Sequence, residues 1–174
     1  FTAQLTEIIS KKPDIVFMPA YFAEGAIIMK QARELGATFV LMGGDAMDNP
    51  DTVKIAGKAA EGFMQTAFPY DMTMKDMNDQ AKSFTEAWKK NFPNKDPNVN
   101  ATLGYTCYDM IIDALKRAGK ADREAVTKAL AETKGLATPV GIMTLNANHD
   151  AEIPVGILKY ENGKRIYLGE IVPE

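Results

Sequence analysis

Histidine, cysteine and tryptophan occur once each in these 174 residues, and each scarcity closes off a class of chemistry. With Cys107 alone, the chain has no internal disulfide and no cysteine-rich zinc site. With His149 as the only histidine, a His-based metal cluster is excluded, and a Ser-His-Asp triad would depend on one residue in the polar turn NANHD. A basic excess is missing too. The 20 Lys and Arg against 23 Asp and Glu give a formal charge of -3 and a pI near 5.3, which argues against nucleic-acid binding. No apolar run approaches the roughly 20 residues of a membrane-crossing helix. Neither a GxxxxGKS/T nor a GxGxxG motif occurs, so phosphate-cradling loops are absent. What remains is a globular composition, 46% hydrophobic and 25% charged, of a size for one ordinary domain or two small lobes. The chain opens on Phe1 rather than Met, as expected of a processed or truncated chain.

The apolar residues fall into an alternating pattern. FTAQLTEIISKK spaces Leu5, Ile8 and Ile9 as one helix face, ended by Pro13. DIVFMPA reads as a short buried strand. FAEGAIIMKQARELG reads as a helix with Ile27, Ile28, Ala32 and Leu35 on one face and Gly36 at its C-terminal cap. TFVLM is a second strand. NPDTVKIAGKAA is a helix with Asn49 as N-cap and Pro50 at its first position, and EGFMQTAF is a third strand. This α-β-α-β-α-β order predicts a parallel sheet with right-handed crossovers. After Phe68 the character changes. PYDMTMKDMNDQ is a polar connector with interspersed methionines, and three consecutive helices follow in KSFTEAWKKNF, NATLGYTCYDMIIDALKRAG and DREAVTKALAETKG. Asp122 is the expected N-cap of the last, and Gly119 and Gly135 close the second and third. The tail returns to β segments, VGIMTL, PVGILKY and KRIYLGEIV, and Asn162-Gly163 marks a tight hairpin between the last two.

One stretch carries the strongest hint of chemistry. In LMGGDAMDNP, a buried strand ends in Gly43 and Gly44 and releases Asp45 at once. Ligands of open α/β sheets bind outside the carboxyl ends of strands, and the two glycines allow close approach of backbone to ligand. A carboxylate there suits an ammonium group. The structural alternative is a loop acid capping the next helix, for which Asp48 and Asn49 are better placed. Tyr21 and Phe22 also follow a strand, so they share a ligand site with Asp45 if the two strands are neighbours; otherwise they are packing residues at a junction. Cys107 reads as a small core residue of an apolar helix, His149 and Asp150 as a solvated turn, and Asp109 with Asp113 as surface or capping acids.

Taken in order, FTAQLTEIISKKPDIVFMPAYFAEGAIIMKQARELG, LMGGDAMDNP, AGKAAEGFMQTAF, FTEAWKKNFP, GYTCYDMIIDALKRAG, DREAVTKALAETKG, VGIMTLNANHD and ILKYENGKRI resemble the periplasmic branched-chain amino-acid binding proteins. These are the type I solute-binding proteins of ABC transporters. The resemblance implies an α/β fold of two Rossmann-like lobes joined by a hinge, here without the N-terminal portion. Residues 1–68 are then part of the second lobe, 69–138 the helical part of the first, and 139–174 a hinge return with terminal β segments of the second. It further implies a receptor without catalysis, cofactor or metal, which holds a hydrophobic amino acid or similar ligand between its lobes. Asp45 falls on the family's acidic ligand for the α-ammonium, and Tyr21, Phe22 and Ala46 line the ligand beside it. The implied partners are that small molecule, the membrane components of an ABC permease and the missing N-terminal half of the same protein; the implied location is the periplasm or, in a Gram-positive cell, the outer surface by a lipid anchor. Two other classes stay open: a related ligand-sensing domain, for amides or aromatic acids or as a receptor ectodomain, and an α/β enzyme using Asp45 as nucleophile or metal ligand.

Overall fold

A computed structural model describes residues 1–72, 74 and 76–172, so parts of the connector PYDMTMKDMNDQ and of the tail lie outside the described residues. In chain order the elements are α1 (Thr2–Ser10), β1 (Ile15–Met18), α2 (Phe22–Glu34), β2 (Val40–Gly43), α3 (Asp51–Ala56), β3 (Met64–Ala67), α4 (Asp79–Asn91), α5 (Val99–Ala118), α6 (Arg123–Ala131), β4 (Leu136–Thr138), β5 (Gly141–Leu145), β6 (Ala151–Glu152), β7 (Val155–Glu161) and β8 (Lys164–Ile171). Short 3-10 turns, Asp45–Met47 and Gly57–Ala60, flank α3. The chain divides into two compact units: Phe1–Ala67 with Gly156–Gly169, and Phe68–Val155 with the segment that starts at Glu170.

The first unit is a five-stranded sheet in the order β1-β2-β3-β7-β8. β1, β2 and β3 run parallel, each joined to the next through a helix, and β7 pairs antiparallel with β3. The β7–β8 turn places Asn162 and Gly163 at φ 52° and 70°, the left-handed pair that a two-residue hairpin of this twist requires. One sheet face buries its core, with Leu5, Met18, Met29, Leu41, Met47, Phe63 and Tyr160 in a single cluster. The α2 face turned to this core is Gly25, Ala26, Met29 and Ala32, while Ile27 and Leu35 are exposed, so the predicted face was rotated from the observed one. Close packing selects small residues here. A Cβ at Gly25 would overlap the Met47 sulfur, and one at Gly43 would sit 2.8 Å from Phe63 Cζ. Because successive strand residues point to opposite faces, Ile15 and Phe17 lie on the other face, where each is 59% exposed.

In the second unit α4, α5 and α6 accompany an antiparallel sheet in the order β4-β5-β6. Its core gathers Tyr70, Ala81, Phe84, Val140, Met143 and Ile153. The Phe84 ring lies 5.9 Å from Tyr70, 5.9 Å from Trp88 and 5.2 Å from Tyr105. All three helices are capped by a side-chain oxygen: Asn78 accepts from the Ala81 amide (2.8 Å), Asn98 from Ala101 (3.0 Å) and Asp122 from Ala125 (3.0 Å). α5 buries Val99, Thr102, Thr106 and Ala114, which leaves Cys107 exposed rather than in the core as its apolar surroundings suggested. In the tail, β5 and β6 pair within this unit's own sheet, and Gly156–Gly169 groups with the first unit.

Candidate functional site

Register fixes where the two candidate loops leave the sheet. Met18 of β1 pairs with Gly43 of β2, the last residue of each strand, and Gly43 pairs in turn with Gln65 of β3. The loops after β1 and β2 therefore depart side by side from one carboxyl edge of a parallel sheet. Tyr21 is the residue before α2; its carbonyl accepts the Gly25 amide (2.9 Å) and its side chain is 75% exposed. Phe22, the first residue of α2, is half-buried. Asp45 opens the 3-10 turn, and both Asp45 and Ala46 are exposed, whereas Met47 is completely buried beneath them.

The structure decides which side chain serves the turn into the following helix. Asn49 Oδ1 accepts the Asp51 amide at 2.8 Å, so the local turn into α3 is satisfied by Asn49. α3 itself starts at Asp51, with Pro50 just before it, one position later than the sequence suggested. Asp48, the other expected cap, does something else. Its carboxylate is buried and ion-paired with Arg165 of β8. Asp51 pairs with Lys54 at 2.6 Å. Asp45 takes part in neither the cap nor, among the described residues, an ion pair. A solvated carboxylate at a strand exit accepts charge-assisted hydrogen bonds from an ammonium or another donor.

The remaining sequence candidates belong to the second unit. Asp113 pairs with Arg117 at 2.7 Å, while burial raises the Asp109 carboxyl above its usual range, partly offset by Lys116. His149 is exposed in its turn at φ 66°. Among the described residues no group of three or more His, Cys, Asp or Glu could hold a metal ion, and no helix is long and apolar enough to cross a membrane. A cavity of about 720 Å³ lies within the second unit between the connector and the β4–β6 sheet, lined in part by Tyr70, Met77, Asn78, Ile142 and Pro154. It contains none of the four predicted site residues. Its polar walls include the acids Asp76, Asp79, Glu152 and Glu170, of which Asp79 pairs with Lys82 at 3.4 Å, so volume alone does not make it the better site. The Asp48–Arg165 pair was invisible in sequence, because its members are 117 residues apart and no local spacing links them.

Comparison with known proteins agrees with this architecture. The periplasmic binding protein family profile matches residues 1–165. A Leu/Ile/Val-binding protein homolog of Brucella melitensis is 31% identical over 171 residues, covering 97% of this chain and 45% of the relative. Among solved structures, a leucine binding protein of Thermotoga maritima superimposes with a TM-score of 0.89 at 34% identity, covering 99% of this chain and 49% of its own. A branched-chain amino acid transporter substrate binding protein of Streptococcus pneumoniae, solved in complex with isoleucine, gives 0.82 at 25% identity, with 99% and 49% covered. The chain thus spans about half the length of the curated relatives it matches.

Proposed function

This chain belongs to the periplasmic binding protein family and has the type I fold, and from that premise we propose that it is part of a substrate-binding protein of an ABC transporter. The complete protein captures a branched-chain or other hydrophobic amino acid between two lobes and delivers it to a membrane permease. It works in the periplasm or, lipid-anchored, outside a Gram-positive cell. The observation that carries the ligand class is Asp45: an exposed carboxylate at the carboxyl edge of a parallel sheet, not used by the Asn49 turn into α3, with the loop of Tyr21 leaving the neighbouring strand. Its role is to accept the α-ammonium, while Tyr21, Phe22 and Ala46 flank the ligand. Ligand-free and ligand-bound lobes differ in how many of these contacts are made, so the amino acid stabilises the closed form.

We assign the first unit to the lobe that carries Asp45 and the second to the helical part of the other lobe. The rest of the protein supplies what each unit lacks. Parallel sheets are ordinarily covered on both faces, yet Ile15 and Phe17 are exposed, as are Tyr108 and Ile111 on α5. The missing N-terminal half is the natural cover for both.

The test is thermal melting of the full-length protein against leucine, isoleucine, valine, phenylalanine, small amides and aromatic carboxylates. A rise with an α-amino acid class is expected. A rise confined to amine-free compounds would overturn the ammonium role of Asp45, and no rise with any α-amino acid would overturn the ligand class.

A further inference from the structure

We propose that Arg165 and Asp48 are a positioning pair for the ligand-binding turn, by which β8 sets the place of the Asp45 carboxylate; this rests on the reading of Asp45 as the ligand's acidic partner. Asp48 is the residue immediately after the 3-10 turn, and its side chain is only 1% exposed. A carboxylate so buried needs a charged partner, and Arg165 of β8 supplies it. The neighbouring cation on β7, Lys159, is engaged by Glu161 at 2.5 Å.

The pair reaches Asp45 through the backbone. The Asp48 amide donates to the Asp45 carbonyl at 2.9 Å, and the Met47 amide to the Gly44 carbonyl at 3.1 Å. The Met47 carbonyl accepts the Thr52 hydroxyl at 2.8 Å. On the underside, Met47 fills the space left by the absent side chains of Gly25 and Gly43. The turn is therefore gripped from α2 and β2 by packing, from α3 by the Thr52 bond, and from β8 by charge. The ion pair ties it to a part of the chain more than a hundred residues away. Holding a ligand group on a turn fixed in this way removes the ordering cost that a loose loop would incur on binding.

The experiment uses the full-length protein, L-leucine titrated calorimetrically well below every variant's melting temperature, and amide hydrogen exchange of the turn. Arg165→Gln is expected to raise the leucine Kd about tenfold or more and to speed exchange of the Asp48 amide by a similar factor. Arg165→Lys restores part of both effects. The double variant Asp48→Asn/Arg165→Gln, which leaves no buried charge unpaired, folds and still shows the weakened binding. Leu5→Ala, which removes a buried contact of the same core, lowers the melting temperature but leaves the Kd within about twofold. If Arg165→Gln lowers the melting temperature while Kd and Asp48 exchange stay at wild-type values, the pair is merely structural and the proposal falls. If the unaltered protein does not bind leucine or any other α-amino acid, the amino-acid reading fails by itself. Asp48 exchange in Arg165→Gln against Leu5→Ala then decides the positioning claim: faster exchange in the former alone supports it, equal exchange overturns it.

Discussion

The two units solve the burial problem in different ways. The first is a layered α/β body whose strands alternate with helices and whose core is one continuous cluster from Leu5 to Tyr160. The second is a helical body with a small antiparallel sheet, and its core is organised around Phe84 and the aromatic rings about it. The layered unit ends three parallel strands at one edge and so creates a place where loops converge. Among the described residues the helical unit has no parallel strands to end at such an edge; Asp113 pairs with Arg117, and other acids, among them Asp76 and Glu152, line an open cavity. The difference shows why the candidate ligand residues belong to the first unit: a parallel sheet supplies a common exit, and the sequence needs only a glycine pair and an acid to use it.

The sharpest way to break this comparison is to empty each core in turn. Phe63→Ala and Phe84→Ala should each cost about 3–5 kcal/mol, since both remove a buried aromatic ring. Followed by hydrogen exchange in the full-length protein, Phe63→Ala should loosen the amides of the five-stranded sheet first, and Phe84→Ala those of α4 and α5. Identical exchange patterns in the two variants would show that the units share one cooperative core. A smaller effect is expected from overpacking. Gly25→Val, placed against the buried Met47, should cost about 1–3 kcal/mol by denaturant unfolding, whereas the same change at Gly104 of α5, where a Cβ meets nothing within 4 Å, should not. The smallest effect concerns Asp109, whose carboxyl burial holds above its usual range. A raised folded value means that its stabilising share is complete below the unfolded carboxyl pKa and is lost as pH rises through the folded value. Asp109→Asn should therefore raise the melting temperature slightly at neutral pH, and this gain should vanish in acid below the carboxylate range.

Much of the layered unit was legible because its signals are local. Pro13, Gly36 and the Asn49-Pro50 pair punctuate short apolar runs, and Asn162-Gly163 announces the hairpin. Asp122 was readable as a cap for the same reason and does accept the Ala125 amide. What failed to show was decided by tertiary contact. The buried face of α2 consists of Met29 with Gly25, Ala26 and Ala32; the latter three are small residues that count little in a hydrophobic pattern but suit a close approach of helix and sheet. Cys107 sits among apolar neighbours on α5, and only the packing reveals that the buried stripe runs through Thr102, Thr106 and Ala114. β4 and β6, of three and two residues, are too short to carry a period. At the candidate site, local logic proposed Asp45 and the loop of Tyr21, and the register places the two loops on neighbouring strands. The same logic assigned Asp48 to a cap, because the partner that claims it lies on the last strand.

The central claim is that Asp45 is the group that meets the amino acid's ammonium. The most direct measurement is calorimetric titration of L-leucine into the full-length protein and its Asp45→Asn variant, with melting curves recorded alongside. The predicted result is a Kd raised about a hundredfold or more with an unchanged melting temperature of the ligand-free protein, because the variant removes a charge that makes no ion pair among the described residues. Wild-type affinity in Asp45→Asn would contradict the claim outright.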